Sequence, residues 1–379
     1  MTAIREIRVK SLKALADVRL ELGGLTVLVG SNGTGKSTLL EALELLRAWA
    51  HDTGSAEYLG KFHGGMHVLA RQGENSFVIE STVGGEDPEQ TFHYQMKVRG
   101  SPVHIEDSAT TSDNELLDDL NDFFPEFFTL HDLRRISQAK GRALYDQIAN
   151  IDVHLPFDVG AGWATLRHRQ GEAAARKPNI IDSTRRLERF GANLASAYHT
   201  LKNELGAAHW RETFELVQLG LGRDVIDVSA SAFGGGHVSL SVEFASIGRV
   251  PAFSLADGVL TYLAFVALTR LDEGRSLLAF DEPETHLHPA LLARVVGLFE
   301  DAATRYPVVL ATHSDRLLDC LSDPVASVVV CELDEQHRTV LRRLDPAQYD
   351  KWREDYRGVG DIRAEGQLQS ILAEARAEP

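Results

Sequence analysis

Cysteine is scarce in this chain, and long apolar runs are missing from it. The two cysteines among 379 residues, Cys320 and Cys331, exclude a disulfide framework and favour a reducing compartment. The longest apolar run, Val259 to Leu268, is shorter than the ~20 residues that span a bilayer. The first residues also lack the zones of a secretory leader. We therefore expect a cytoplasmic globular protein with no membrane partner.

Basic residues are outnumbered as well. Lys and Arg total 39 against 55 Asp and Glu, which gives a net charge of −16. A chain with this balance has no global field that attracts nucleic acid, although a local basic face can still do so. The segment from Arg167 to Arg189 has such a bias. Two interpretations of it stay open, a DNA or partner surface and a solvated, partly paired helical face.

The apolar pattern predicts alternating strands and helices. The run Leu25 to Val29 is typical of a buried strand, a glycine-rich loop follows it, and Leu39 to Leu46 has helical spacing. The acidic segment 101–133 is expected to be a solvated loop and helix. An antiparallel pair of strands is expected at 77–83 and 90–98, and residues 226–244 are also expected to be strand-like. Buried parallel strands are expected at 277–280 and 308–310, and a last strand at 328–330.

One motif carries a specific chemistry. Residues 30–37 read Gly-Ser-Asn-Gly-Thr-Gly-Lys-Ser and match G-x-x-x-x-G-K-[ST] at every fixed position. Glycines let backbone N–H groups converge on phosphate oxygens, and the following helix offers its N-terminus to the anion. We expect Lys36 to reach the β and γ phosphates and the Ser37 hydroxyl to bind Mg²⁺. The sequence predicts a site for ATP and Mg²⁺ formed by Asn32, Gly33, Thr34, Gly35, Lys36, Ser37 and Thr38.

Two later segments place further polar groups after apolar runs. Asp281 and Glu282 follow Leu277 to Phe280, where Asp281 can hold Mg²⁺ through water and Glu282 can orient or deprotonate the attacking water. His313 follows another apolar run and can hydrogen-bond the γ-phosphate. We expect Lys36, Glu282 and His313 to be catalytic, with Ser37 and Asp281 as metal ligands. The simpler alternatives are a capping Asp-Glu pair and a cap or core histidine.

These elements, in this order, resemble the ABC-type ATPases of the RecF, OLD and SMC kind, and most of all the compact stand-alone proteins called AAA family ATPases. Residues 281–289, Asp-Glu-Pro-Glu-Thr-His-Leu-His-Pro, are very similar to the family's D-E-P-E-x-x-L-H-P. Residues 191–195 and 358–361 resemble its G-x-N-L-A and G-L-G-E stretches. The resemblance implies an α/β P-loop NTPase fold with ABC-ATPase head architecture: a mixed sheet core, an antiparallel β subdomain and a helical insertion lobe.

Two further candidate sites rest on this resemblance. Lys13 falls where a basic residue lies against the nucleotide. Residues 255–258, Leu-Ala-Asp-Gly, stand in the place of the signature motif, so Ala256, Asp257 and Gly258 are expected to bind the nucleotide of the opposite subunit. The family has serine where this chain has Ala256. Loss of a charge-assisted hydrogen bond costs about 1.5–3 kcal/mol, which predicts a weaker ATP-bound dimer, slower turnover, or both.

The resemblance also implies a domain organisation. Residues 1–100 are expected to form the N-terminal part of the nucleotide-binding lobe, 101–250 the insertion lobe, 251–345 the part with signature, Walker B, D-loop and His-switch, and 346–379 a C-terminal helical tail. We expect no Toprim nuclease domain of the OLD kind after His313, because 66 residues are too few for one. Three glutamines are candidates for the Q-loop: Gln72, Gln138 and Gln147.

The activity implied by the resemblance is Mg-ATP hydrolysis by a head-to-tail homodimer. ATP is then a conformational switch that serves DNA maintenance or anti-phage defence, with DNA or a separately encoded effector such as a nuclease as a further partner. Three alternatives stay open: a non-hydrolysing nucleotide-dependent interaction module, a transporter's ATPase subunit and a small-molecule kinase. The transporter subunit would more usually carry an L-S-G-G-Q signature, which this chain lacks.

Overall fold

The computed structural model describes residues 3–51, 56–84, 91–100, 103–111, 130, 139–160, 173–352 and 355–373. The chain divides into two compact units. The first unit comprises Met1–Val153, Arg275–Asp281 and Ala303–Pro379, and the second comprises His154–Gly274 and Glu282–Ala302. The domain boundaries expected at 100, 250 and 345 stay predictions.

An antiparallel sheet forms one part of the first unit. Its strands are β1 (Ala3–Leu12), β2 (Leu15–Glu21), β4 (Ser76–Gly84), β5 (Phe92–Arg99) and β6 (His104–Thr111), in the order β2-β1-β4-β5-β6. Side chains along β4 alternate between buried and half-buried, as period-two apolar spacing requires. The antiparallel pairing expected for 77–83 and 90–98 is confirmed. The expectation of a loop and helix is wrong for β6, and the rest of 101–133 lies almost entirely outside the described residues.

A second, mixed sheet carries the glycine-rich loop. Its strands are β3 (Leu25–Val29), β7 (Ile151–His154), β12 (Leu277–Asp281), β13 (Val308–Thr312), β14 (Val328–Leu333) and β15 (Thr339–Arg343), in the order β15-β14-β3-β13-β12-β7. β14, β3, β13 and β12 are mutually parallel, whereas β15 returns antiparallel to β14. Every residue of β3 and β13 is buried, which explains why these strands are continuous apolar runs. The strand expected at 328–330 is not the last one, because β15 follows it.

Helices cover the strands of the first unit. They are α1 (Lys36–Ala50), α2 (Ala56–His63), α3 (Met66–Leu69), α4 (Ala139–Ala149), α9 (Asp315–Leu318), α10 (Pro324–Ser327), α11 (Pro346–Trp352) and α12 (Val359–Ala364). The helix expected after the glycine-rich loop is confirmed as α1, whose leucines Leu39, Leu40, Leu43 and Leu46 are buried in the core. A strand, a tight loop and a helix therefore follow one another around residues 30–37.

Among its described residues, the second unit packs four α-helices with a four-stranded sheet. The strands are β8 (Asn179–Ile180), β9 (Val225–Phe233), β10 (His237–Phe244) and β11 (Gly248–Pro251); the helices are α5 (Leu194–Asn203), α6 (Ala207–Leu221), α7 (Asp257–Arg270) and α8 (Pro289–Ala302). α7 is apolar on most of its surface and is buried among α5, α6 and α8. The strands expected at 226–244 are confirmed as the β9–β10 hairpin.

In the part of the basic segment that the structure describes, residues 173–189, no α-helix is present. Its described part consists of a 3₁₀ turn at Ala174–Arg176, the short strand β8 and another 3₁₀ turn at Arg189–Gly191. Arg185 is exposed and bonds to exposed Glu273, but the Arg176 side chain is only 1% exposed. Within the described residues, the structure has no helix that is long and apolar enough to cross a membrane.

Candidate nucleotide-binding site

Three parallel strands of the first unit end side by side. In the ladder, Val29 of β3 lies opposite Thr312 of β13, and Ala311 of β13 lies opposite Asp281 of β12. The glycine-rich loop begins directly after β3, and His313 directly follows β13. Ligands of open α/β sheets bind outside the carboxyl ends of parallel strands. The predicted loop, metal ligand and switch histidine therefore share one edge of the sheet.

The loop is built around two glycines that no other residue can replace without movement. A Cβ on Gly30 would lie 2.2 Å from the carbonyl oxygen of Cys331 on β14. Gly35 has φ +96°, and a Cβ there would lie 2.6 Å from Oγ1 of Thr339 on β15. Glycine is the residue that tolerates both the close approach and the left-handed backbone. The hairpin β14–β15 thus forms a wall of the phosphate loop.

Side chains hold the loop in a closed shape. Lys36 is buried, and its Nζ donates to the carbonyl oxygens of Gly30 and Ser31, both at 2.9 Å. The Thr34 hydroxyl donates to the Ser31 carbonyl at 2.9 Å, and Thr339 Oγ1 donates to the Thr34 carbonyl at 3.0 Å. These bonds preform the concave loop before α1, whose N-terminus is favourable for an anion. The arrangement fits the polyphosphate of a nucleotide.

Lys36 also affects the pKa of the Cys331 thiol. Burial raises the pKa of the Cys331 thiol to about 12, although the Lys36 ammonium acts in the opposite direction. Cys331 therefore stays a neutral thiol at physiological pH, packed near the lysine. Neither cysteine forms a disulfide bond, in agreement with the sequence analysis.

Oxygen donors suited to Mg²⁺ occur at the same edge. Ser37 lies in the first turn of α1 and is exposed, and Asp281 ends β12 with a half-buried side chain. Hydroxyl and carboxylate oxygens, completed by water and phosphate, are the ligands that Mg²⁺ prefers. Asn32 and Gly33 are exposed, and Thr38 is half-buried beside Ser37. The residues present therefore fit Mg²⁺ together with a nucleotide.

Glu282 is exposed and has φ +49°, a backbone conformation that is uncommon for a glutamate. It directly follows Asp281, where the chain passes from the first unit into the second. Its carbonyl oxygen accepts a hydrogen bond from the Thr285 backbone N–H at 3.1 Å, which begins the turn of the D-E-P-E-x-x-L-H-P segment. Residues with such backbone strain are often found at functional sites.

The segment after His313 is held by the C-terminal part of the chain. Arg363 of α12 donates from Nη1 to the His313 carbonyl oxygen at 3.1 Å and forms an ion pair with Asp315. The close approach is possible because Gly360 faces the Asp315 carbonyl, where a Cβ would lie 1.9 Å from the oxygen. Sequence reasoning noted the Gly-Val-Gly-Asp stretch but missed Arg363. Its signal is an arginine two residues after that stretch, which alone predicts nothing.

Lys13 lies in the turn between β1 and β2 and has φ +49°. Its ammonium pairs with Glu41 of α1, and Glu41 also accepts a hydrogen bond from His63 at 2.8 Å. Burial raises the pKa of Glu41, but hydrogen bonds from His63 and Lys13 outweigh it, so the net pKa is lowered. The carboxylate therefore keeps its negative charge and holds Lys13 beside α1.

An open cleft of about 470 Å³ lies at the turn between β1 and β2. It is lined by Lys13, Ala14, Arg71, Gln72, Glu335, Gln336 and His337. The Ala14 carbonyl accepts a hydrogen bond from the Thr339 N–H at 3.0 Å, and Thr339 in turn bonds to Thr34 of the loop. The hydrogen bonds of Thr339 thus link a lining residue of the cleft to the phosphate loop. The Q-loop candidate Gln72 lies here, Gln147 lies on α4, and Gln138 lies outside the described residues.

The signature segment lies in the second unit. Ala256 is the N-cap of α7, is exposed, and has extended φ and ψ of −64° and 146°. Asp257 and Gly258 form the first turn, and a Cβ on Gly258 would lie 3.1 Å from the His286 carbonyl oxygen. The start of α7 therefore packs against the D-E-P-E-x-x-L-H-P segment within this unit. The predicted site residues are thus divided between the two units, with Glu282, Ala256, Asp257 and Gly258 in the second.

Comparisons with known proteins agree with the sequence resemblance. The family model described as "AAA domain, putative AbiEii toxin, Type IV TA system" matches residues 25–319. The OLD nuclease of Thermus scotoductus is 23% identical over 330 residues, which are 83% of this chain and 60% of the relative. The chain therefore spans about 60% of the length of this curated relative. The resemblance to ABC-type ATPases of the RecF, OLD and SMC kind is confirmed.

Solved structures give similarities at low sequence identity. The SMC head domain from Thermotoga maritima has a TM-score of 0.47 and 12% identity, with coverage of 90% of this chain and 99% of that chain. An SMC head domain with an extended coiled coil, bound to the C-terminal domain of ScpA derived from Pyrococcus furiosus, has a TM-score of 0.47 and 15% identity, with coverage of 94% and 99%.

Proposed function

Because this chain belongs to the AAA-domain family whose model matches residues 25–319, we propose that it binds and hydrolyses Mg-ATP. The observation that carries the proposal is the shared edge of the mixed sheet, where β3, β12 and β13 end. There a preformed phosphate loop, a carboxylate and a histidine come from three different strand ends. Chance motif matches do not produce this convergence.

Each predicted residue of the nucleotide site has a role in the proposal. Lys36 gives up its hydrogen bonds to the loop carbonyls and binds the β and γ phosphates instead. The backbone N–H groups of the loop donate to oxygens of the same phosphates. Ser37 and Asp281 hold Mg²⁺, which neutralises charge on the phosphates when bound. His313 donates to the γ-phosphate, with its backbone fixed by Arg363. Glu282 accepts a proton from the attacking water.

The cleft beside the loop is proposed to take the nucleoside. Its lining residue Ala14 is linked to the phosphate loop by the hydrogen bonds of Thr339, and its lining residue Lys13 lies where the resemblance expects a basic residue near the nucleotide. Lys13 is paired with Glu41, so its approach to a phosphate would weaken that ion pair. This competition makes Lys13 a weaker phosphate ligand than Lys36.

We propose further that two copies close head to tail over two nucleotides. Ala256, Asp257 and Gly258 of one copy then cap the γ-phosphate bound by the other, through the N-terminus of α7. ATP stabilises the closed dimer only because it binds the closed state more tightly than the open state. Hydrolysis removes this difference in affinity. The missing hydroxyl at Ala256 makes the closed state weaker than a serine would.

The output is proposed to be a DNA transaction or defence against phage. The support is the name of one relative, an OLD nuclease, together with the family description as a toxin of a toxin–antitoxin system. We propose that the conformational change is passed to a separately encoded effector, such as a nuclease, and that DNA is a further partner. This step rests on relatedness and not on the geometry of the site.

Steady-state ATP hydrolysis by the purified chain, measured at several protein concentrations, tests the enzymatic part. Glu282→Gln keeps the size of the side chain and removes the base, so it is the matched control. We expect Mg²⁺-dependent turnover that rises in specific activity with protein concentration and is lost in the variant. Turnover that persists in Glu282→Gln would refute the role of Glu282. Nucleotide binding without turnover at any concentration would favour the non-hydrolysing interaction module.

A further inference from the structure

Arg176 of the second unit makes an unusual set of contacts. Its side chain is 1% exposed. The guanidinium donates to the carbonyl oxygens of Val159 (2.7 Å), Gly160 (3.1 Å), Ala252 (2.8 Å), Phe253 (3.0 Å) and Leu255 (2.8 Å), and to Oδ1 of Asp257 (2.6 Å). A buried guanidinium is stable only when its donors are satisfied and its charge is paired. Here the acceptors come from two separate segments of the chain.

One of these segments leads directly into the signature residues. Residues 252–255 are a 3₁₀ turn and its cap, and α7 begins at Asp257. Arg176 bonds to three carbonyls of that turn, and its remaining carbonyl bonds go to Val159 and Gly160. The position of the turn is therefore determined by a planar, rigid group from another part of the unit.

The bond to Asp257 also has an electrostatic consequence. Asp257 is the first residue of α7, and its side chain is 37% exposed. An uncompensated carboxylate at this place would repel an incoming phosphate, although a helix N-terminus attracts anions. Since Arg176 lies 2.6 Å from that carboxylate, the pair is neutral overall. The backbone N–H groups at the start of α7 can then attract a phosphate, because no unpaired carboxylate repels it.

We infer that Arg176 is a positioning residue for the signature segment: it fixes residues 252–257 and neutralises Asp257 so that the start of α7 can receive the γ-phosphate held by a second copy of the chain. The inference rests on the proposed head-to-tail dimer. Because Ala256 supplies no hydroxyl, the backbone N–H groups are left as the donors at this end of α7. Their placement therefore depends on Arg176 more than it would in a chain with serine at 256.

The test measures ATP-dependent dimerisation by analytical ultracentrifugation in the Glu282→Gln background, which is expected to trap the closed state. Three variants are compared in it: Arg176→Gln, Asp257→Asn and the double variant. Arg185→Gln is the matched control, because Arg185 belongs to the same basic segment but is exposed. Binding of a fluorescent ATP analogue at low protein concentration reports on the phosphate loop, which lies in the other unit.

Arg176→Gln is expected to raise the dimer dissociation constant by about tenfold or more, since it leaves a carboxylate without its partner. Binding of the analogue by the monomer should stay within about twofold, because the phosphate loop uses other residues. The double variant should recover at least about threefold of the lost dimer affinity, because it also removes the uncompensated charge. A purely structural role for Arg176 predicts no such recovery.

A double variant that dimerises no better than Arg176→Gln would overturn the charge argument. A single variant that dimerises like Arg185→Gln would overturn the inference as a whole. If Arg176→Gln fails to fold, Arg176→Lys keeps the charge but loses the fork, and a dimer as tight as the parent's would then contradict the positioning role. Absence of an ATP-dependent dimer in the Glu282→Gln parent would instead overturn the proposed function, and the inference with it.

Discussion

Replacing Ala256 by serine should stabilise the protein in two separable ways. Ala256 is the N-cap of α7, and its extended backbone is the conformation in which a serine hydroxyl accepts a hydrogen bond from the first turn. The residue is exposed, so the hydroxyl meets no packing penalty. A serine cap is worth about 1 kcal/mol over alanine. In a domain of 150–250 residues, a gain of this size in the free energy of unfolding raises Tm by about 2–4 °C, and we expect this shift in the absence of nucleotide.

The second effect requires nucleotide and a partner. In the proposed head-to-tail dimer, each serine donates to the γ-phosphate bound by the other copy. A hydrogen bond to a charged group contributes about 1.5–3 kcal/mol, and the dimer contains two such sites. Because each 1.4 kcal/mol is a factor of ten, the dimer dissociation constant should fall by about 100-fold or more. Turnover at low protein concentration should rise for the same reason.

Ala256→Asp separates the two effects. Aspartate caps a helix as well as serine does, so thermal unfolding without nucleotide should show a similar gain. Its negative charge repels the γ-phosphate, so the ATP-dependent dimer should become weaker than that of the parent. Both variants are compared by calorimetry without nucleotide and by sedimentation with ATP in the Glu282→Gln background. A serine variant that gains stability but leaves dimer affinity unchanged would show that residue 256 does not face the phosphate.

Two further changes test the site within the first unit. Gly30→Ala places a Cβ 2.2 Å from the Cys331 carbonyl oxygen and should abolish binding of a fluorescent ATP analogue. The Cβ of Gly33→Ala meets no described atom within 4 Å, so this variant should lose about 30-fold or less in affinity, from a backbone strain of about 1–2 kcal/mol alone. Glu41→Gln should lower Tm at neutral pH. Because the pKa of Glu41 is lowered in the folded protein, its contribution is present above about pH 4.3 and disappears as the pH falls through the lowered pKa. As the pH is lowered from 7, thermal unfolding of Glu41→Gln should therefore approach that of the parent, and a constant difference in Tm would contradict this; exposed Glu106→Gln is the control.

The sequence predicted those parts of the site that follow from local patterns. A continuous apolar run gave the buried strand β3, and the glycines after it predicted the phosphate loop. Asp281 and His313 were each recognisable because a polar group followed a buried strand. Parallel strands bring their carboxyl ends to one edge, so three local patterns were enough to predict one shared site.

Residues that act through distant contacts could not be predicted in this way. Arg176 belongs to a stretch of arginines, which composition alone assigns to the surface, yet four of its six acceptors lie about 80 positions away. Arg363 contacts His313 across 50 positions. Burial of an arginine depends on whether the folded chain supplies enough acceptors, and no periodicity in the sequence reports that number.

The phosphate loop itself depends on distant contacts as well as on its own motif. Its two close-approach glycines face β14 and β15, and Thr339 of β15 bonds to Thr34 across 305 positions. A motif of eight residues predicts that phosphate is bound, but the hairpin at the other end of the chain supplies the wall against which the loop closes. The same division applies to the signature segment, where residues 255–258 identify the motif and Arg176 determines its position. The local motif therefore predicts nucleotide recognition, whereas the shape of the loop is determined by the whole fold.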